Sequence, residues 1–242
     1  MTLDEALTSL FPNGHTVERG PFNTLRGIGR RGADGDIALI GITDGVPVGV
    51  DGALLLAGHV LSVIEKGGAT PILVLIDASI QNMTRRDELL GLNEYFAHLY
   101  KVLALAALRG HRTVAFLYGP AAAGAFIATA LSTQILVAVP GAEPSVMDLP
   151  SMARVTKLPL AQLTTMAKTT PIFAPGVEPL FLTGAVTAKW DVETPLAAQL
   201  SGLLQQDAAA RDRRDEIGLE RGGRLKSAEI ARRVMTEANQ SV

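Results

Sequence analysis

Four short runs rich in β-branched and aliphatic residues punctuate the first part of this chain: DIALIGI (36–42), PILVLI (71–76), TVAFL (113–117) and QILVAV (134–139). Segments with helical spacing of apolar residues lie between them. A strand reaches a parallel neighbour only through a long crossover, so this alternation implies an α/β fold with a parallel sheet and helices packed on it. After the fourth run the β signal fades and the pattern turns mostly helical.

Residues 51–66 predict a helix that Asp51 caps and the Gly67-Gly68 pair ends. The longest helix is expected over 88–108, where Leu92, Phe96, Leu99, Leu103 and Ala107 recur three or four apart and make one buried face. Further helices are expected over 121–131, 160–168 and 194–206. A proline-rich stretch, 140–179, holds LPSMARVTKLP and TTPIFAPGVEP and reads as ordered but irregular connections. The charge-dense end, RDRRDEIGLERGGRLK, reads as exposed helices broken at Gly222-Gly223. The expected division is an N-terminal extension (1–35), a main domain (36–206) and a charged helical tail (207–242).

With 22 basic against 24 acidic residues, no strong overall field draws this protein to nucleic acid or anionic lipid. The absence of cysteine excludes disulfides, thiol nucleophiles and Cys-ligated metals, and fits a reducing compartment; the cytoplasm is the default expectation. No apolar run approaches the roughly 18–20 residues of a membrane span. The opening MTLDEALTSLFPNG lacks the basic region of a signal peptide. His15, His59, His98 and His111 are scattered without ligand-like spacing, so no metal site is expected. Neither Gly27-Ile28-Gly29 nor GVPVGVDG matches a dinucleotide or phosphate-loop pattern.

The most informative stretch is GPAAAGAFIATAL (119–131), directly after a strand. It offers almost no side-chain chemistry, only backbone amides screened by the smallest residues. Two readings compete. The first amides of a helix lack intrahelical acceptors, so a ligand oxyanion can approach them closely. Alternatively, small residues let a helix pack hard against a sheet.

The order DIALIGI, VPVGVDG followed by a helix, PILVLIDAS, RDELLGLNEYFAHLYKVLALAALRG and RTVAFLYGPAAAGAFIATAL resembles the crotonase superfamily, and within it the carboxyltransferase domains of acyl-CoA carboxylases and decarboxylases. The resemblance covers roughly residues 36–194. SIQNMTRRDELLGLNEYFAHL and GPAAAGAFIATAL are similar to the gamma-subunit family of biotin-independent malonate decarboxylases. It implies a crotonase-like ββα superhelix and a heteromeric enzyme, with the active site between this chain and a beta subunit of similar fold. It further implies an acyl-carrier delta subunit with a phosphoribosyl-dephospho-CoA arm, an alpha transferase subunit that loads malonate, and no biotin. The beta–gamma pair then converts malonyl-carrier to acetyl-carrier with loss of carbon dioxide.

By position, the amides of Gly124 and Ala125 are the candidate catalytic donors, with a second donor around Ile80 and Gln81. Asn82, Gly91, Ala123 and Asp148 are candidate substrate-binding residues. Asp77 and Glu88 are candidates for loop fixing or proton delivery, and Lys157 and Lys168 for steering a phosphate arm. The turn also resembles the Clp proteases, but Ala122-Ala123-Gly124-Ala125-Phe126 lacks their serine, so no acyl-enzyme is expected. A stand-alone acyl-CoA hydratase or isomerase, which needs paired carboxylates, and a non-catalytic scaffold subunit are the alternatives.

Overall fold

The computed structural model describes residues 1–206 and 212–240. Its strands are β1 (His15–Arg19), β2 (Thr24–Arg30), β3 (Asp36–Val48), β4 (Ile72–Gln81), β5 (Thr113–Ala122), β6 (Ile135–Ala138), β7 (Glu143–Ser145) and β8 (Ala188–Lys189). Its helices are α1 (Leu3–Leu10), α2 (Val50–Glu65), α3 (Arg85–Leu90), α4 (Leu92–Leu108), α5 (Ala123–Thr129), α6 (Leu149–Thr156), α7 (Leu160–Ala167), α8 (Val177–Leu182), α9 (Leu196–Gln205), α10 (Arg214–Glu220) and α11 (Ser227–Gln240). Among the described residues, no helix is long and apolar enough to cross a membrane.

The chain forms two compact units. One comprises Met1–Val146 and the stretch from Ala188; the other comprises Met147–Thr187 and the described residues after 211. Every strand lies in the first unit, in one sheet ordered β1-β2-β3-β4-β5-β6-β8, with β7 pairing β5. The four runs legible in the sequence are its parallel centre, β3 to β6. The structure adds four strands that composition did not reveal. Residues 1–35 supply α1 and the antiparallel pair β1 and β2, whose alternation is blurred because β1 carries polar residues on both faces. β7 and β8 span only three and two residues, too short for periodicity to register.

The sheet buries both faces. Leu39, Leu75, Phe116 and Val137 pack on one side against Leu7 of α1 and Leu200 of α9, with Trp190 tilted on Phe116 at 5.9 Å. Ile42, Val48 and Ala78 pack on the other side with Ala53 of α2 and Ala125 of α5, flanked by Tyr95 and Phe96 of α4.

Three helix expectations need correction. Asp51 does not cap α2; the N-cap is Gly49, without a side-chain bond, and Asp51 pairs with Arg86 instead. The helix expected over 88–108 is two, because Gly91 turns left-handed (φ 78°), ending α3 and starting α4. β5 continues to Ala122, past the Gly-Pro pair, so α5 has only seven residues. The Gly222-Gly223 break does separate α10 from α11. Of the tail expected from 207, residues 207–211 and 241–242 lie outside the described residues.

Candidate active site

β5 hands over to α5 through Ala123, whose φ of 52° is unusual for a residue with a Cβ. A left-handed residue followed by helical ones turns successive N–H groups toward one side, the backbone nest that suits an oxygen acceptor. An oxygen is already there: the Gly124 N–H donates to Gln81 Oε1 at 2.9 Å. Gln81 ends β4, and its Nε2 points to Met83 Sδ at 3.6 Å. With seven residues α5 has a weak macrodipole, so any charge stabilisation here comes from discrete donors.

Gly124 also answers the packing question. A Cβ on it would stand 2.9 and 3.1 Å from two Phe96 ring carbons and 3.4 Å from Gln81 Oε1. Glycine is therefore demanded by α4 behind it as much as by an acceptor in front. Ala125 does not offer the open amide read from the sequence; it is wholly buried, its methyl packed among Ile42, Val48 and Ala78. Ala123 stays half-exposed beside Gly124.

The remaining candidates separate. Ile80 and Gln81 are strand rather than loop, and Gln81 pairs with Val48 of β3, so what Gln81 brings is its side chain. Ile80 presents an exposed apolar side chain. The Asn82 N–H donates to Val48 O at 2.7 Å, and its side chain lines a cavity of about 410 Å³ walled by Phe22, Ile42, Val48, Gly49 and Asp87. Gly91 makes the helix break and lies outside that lining. Asp148 belongs to the second unit, where it caps α6 by accepting from Ser151 N–H at 2.7 Å; the Ser151 hydroxyl and then that N–H hold its carboxyl below the usual range.

Asp77 takes the loop-fixing geometry. Its Oδ2 accepts from the Asp44 N–H at 3.1 Å, and a Cβ on Gly119 would fall 2.2 Å from Oδ1. Burial pushes this carboxyl above its usual range, outweighing the Asp44 and Gly45 amides that pull it down. The folded chain thus keeps the proton over a pH interval in which the unfolded chain has released it. Asp77 favours folding as pH falls through that interval and opposes it above. Asp77→Asn is expected to flatten the fall in stability on raising pH from mildly acid to neutral, measured by urea unfolding; an unchanged slope would remove Asp77 as its source. Glu88 is exposed on α3.

Sequence reading missed Asp87 and Phe96. Asp87 sits in RRDEL, a charge run that reads as solvated surface, yet it is 2% exposed. Phe96 was legible as apolar, but nothing local announced that its ring would meet Gly124.

A mostly parallel sheet with a glycine-rich turn from its central strand into a short helix defines a crotonase-type carboxyltransferase fold. The transcarboxylase 12S structure with hydrolysed methylmalonyl-coenzyme A shares it, at a TM-score of 0.67 and 14% identity over 86% of this chain and 42% of that one. The chain belongs to the malonate decarboxylase gamma subunit family, MdcE, which it matches over residues 43–238. A chain of the Pseudomonas malonate decarboxylase hetero-tetramer in complex with coenzyme A superposes at a TM-score of 0.80 with 21% identity, over 96% of this chain and 98% of that one. Malonyl-S-ACP:biotin-protein carboxyltransferase MADD of Malonomonas rubra is 27% identical over 176 residues, 66% of this chain; the match spans 60% of that relative's length.

Proposed function

We propose that this chain is the gamma half of a cytoplasmic heteromer that decarboxylates a malonyl thioester to an acetyl thioester, and that Gly124 and Gln81 face the departing carboxylate. A beta subunit of similar fold completes the site. The acyl group arrives on the phosphoribosyl-dephospho-CoA arm of a delta carrier subunit, loaded by an alpha transferase subunit, and biotin takes no part. The mixed apolar and polar walls beside Asn82 suit such an arm. The observation that carries the reading is the Gln81 Oε1 held by the Gly124 amide: that N–H points to a space that admits an sp² oxygen.

Cleavage of the Cα–carboxylate bond sends its electron pair to Cα and on to the thioester oxygen as an enolate. Carbon dioxide leaves, and a proton then adds to Cα. The thioester oxygen gains charge and needs strong donors. The carboxylate loses charge, so strong donors there would hold the ground state and slow the reaction. One amide with a displaceable glutamine, on a helix of weak dipole, suits the second task. A substrate oxygen takes the place of Oε1, and Gln81 turns its Nε2–H toward the same carboxylate. The scissile bond is thereby held perpendicular to the thioester plane, where it overlaps the carbonyl π system.

Gln81→Ala in the assembled heteromer is expected to lower kcat/KM for malonyl-CoA by about tenfold. The packing of Gly124 on Phe96 supports the rival reading, a scaffold whose partner does the chemistry. Intact assembly with an unchanged rate in Gln81→Ala would favour that rival.

A further inference from the structure

Gln81 ends β4, residues 82–84 lead from it into α3, and a charged lock that lines the same cavity as Asn82 holds them. Arg86 Nη1 donates to Asp51 Oδ2 at 2.6 Å and Nη2 to Asp51 Oδ1 at 3.2 Å, tying α3 to the first turn of α2. Nη1 also donates to Asp87 Oδ1 at 3.2 Å. Thr84 Oγ1 accepts from the Asp87 N–H at 3.2 Å, which closes the segment onto α3. The Arg86 side chain is 59% exposed and that of Asp87 2%.

The unusual member is Asp87. Its Oδ1 is paired with Arg86, but its Oδ2 is buried with no hydrogen bond, and a buried acceptor left unsatisfied is costly. Its surroundings explain its position. Oδ2 lies 2.7 Å from where a Cβ on Gly49 would stand, and Asn82 Nδ2 3.3 Å from the same point. The carboxylate and the amide therefore converge on the gap that this glycine leaves. Gly49 is extended, with φ −104° and ψ −174°, so space rather than backbone conformation demands glycine there.

We propose that Asp87 is a positioning residue: with Arg86, Asp51 and the gap at Gly49, it fixes residues 81–84 so that Gln81 reaches the Gly124 amide and Asn82 faces the cavity. It acts through those residues and touches no reacting atom. The inference rests on the reading of Gln81 and Gly124 as the carboxylate-facing pair, and its test separates the two.

The test follows the Gly124 amide resonance in the isotope-labelled full chain, with Gln81→Ala defining the position of that N–H without its partner. Asp87→Asn and Arg86→Gln are both expected to move the resonance toward the Gln81→Ala position. In the heteromer, Asp87→Asn is expected to lower kcat about tenfold with KM for malonyl-CoA within about twofold. A resonance that stays at its wild-type position in both variants overturns the proposal. If Asp87→Asn fails to fold, Arg86→Gln, a change to a largely exposed side chain, decides alone. Resonances that move as expected while Gln81→Ala decarboxylates at the wild-type rate would uphold the positioning role and sink the carboxylate reading.

Discussion

Gly124→Val in the assembled heteromer is expected to lower the decarboxylation rate by about 10²-fold, the scale of misplacing a bound reacting group by about 1 Å. Even a single methyl would stand 2.9 Å from the Phe96 ring. Valine adds two more carbons, so α5 must tilt away from α4 and carry its amide off Gln81. Overpacking of this kind costs about 1–3 kcal/mol, which thermal unfolding would register. Stability loss and rate loss are separable with Gly124→Ala and Phe96→Leu. The double variant relieves the ring contact and keeps the N–H, and is expected to recover the rate to within about threefold of wild type. A Gly124→Val chain that assembles and decarboxylates at the normal rate would remove this amide from the chemistry.

Arg221→Ala is expected to destabilise the second unit by about 2–4 kcal/mol. The guanidinium donates to the carbonyls of Phe181 and Val186 at 2.9 Å and of Thr187 at 3.0 Å, and stacks 3.7 Å over the Phe181 ring. Phe181 lies in the last turn of α8, where its carbonyl also accepts from the Gly184 N–H at 3.1 Å, and Val186 and Thr187 follow the helix. The backbones around them nearly touch: a Cβ on Gly218 would fall 2.4 Å from Thr183 O, and one on Gly223 2.3 Å from Leu182 O. No other side chain offers a planar fork of donors at that spacing, so Arg221→Lys is expected to recover less than half of the loss. Earlier proteolysis of the segment around Phe181 would report it; unchanged protection in Arg221→Ala would show that the glycine contacts suffice.

The parallel centre of the sheet was legible because buried parallel strands are continuous apolar runs, as in ILVLI and AFLY. The polar strand β1 and the two- and three-residue strands β7 and β8 were not, since their identity comes from neighbours rather than from their own pattern. The helix break at Gly91 was present as a letter, but Leu92, Phe96 and Leu99 continue the apolar stripe, and periodicity alone cannot see a left-handed residue. Gln81, Asn82 and Gly124 were found as candidates from the resemblance. That Gln81 would occupy the Gly124 amide was invisible, because 43 residues separate the pair in sequence. Asp87 was hidden for the opposite reason: its neighbours Arg86 and Glu88 are exposed, and local charge density masked a buried carboxylate.

The chain leaves the sheet after β7, which lies beside β5, and re-enters it at β8, beside β6, the strand that itself neighbours β5. The detour between them therefore starts and finishes on adjoining rungs of one ladder. Such a loop-out can lengthen, shorten or be exchanged wholesale in the course of descent while every rung keeps its partner. Divergence among relatives should accordingly concentrate between Val146 and Ala188, where a lineage can retune that detour and leave the pairing of the ladder unaltered.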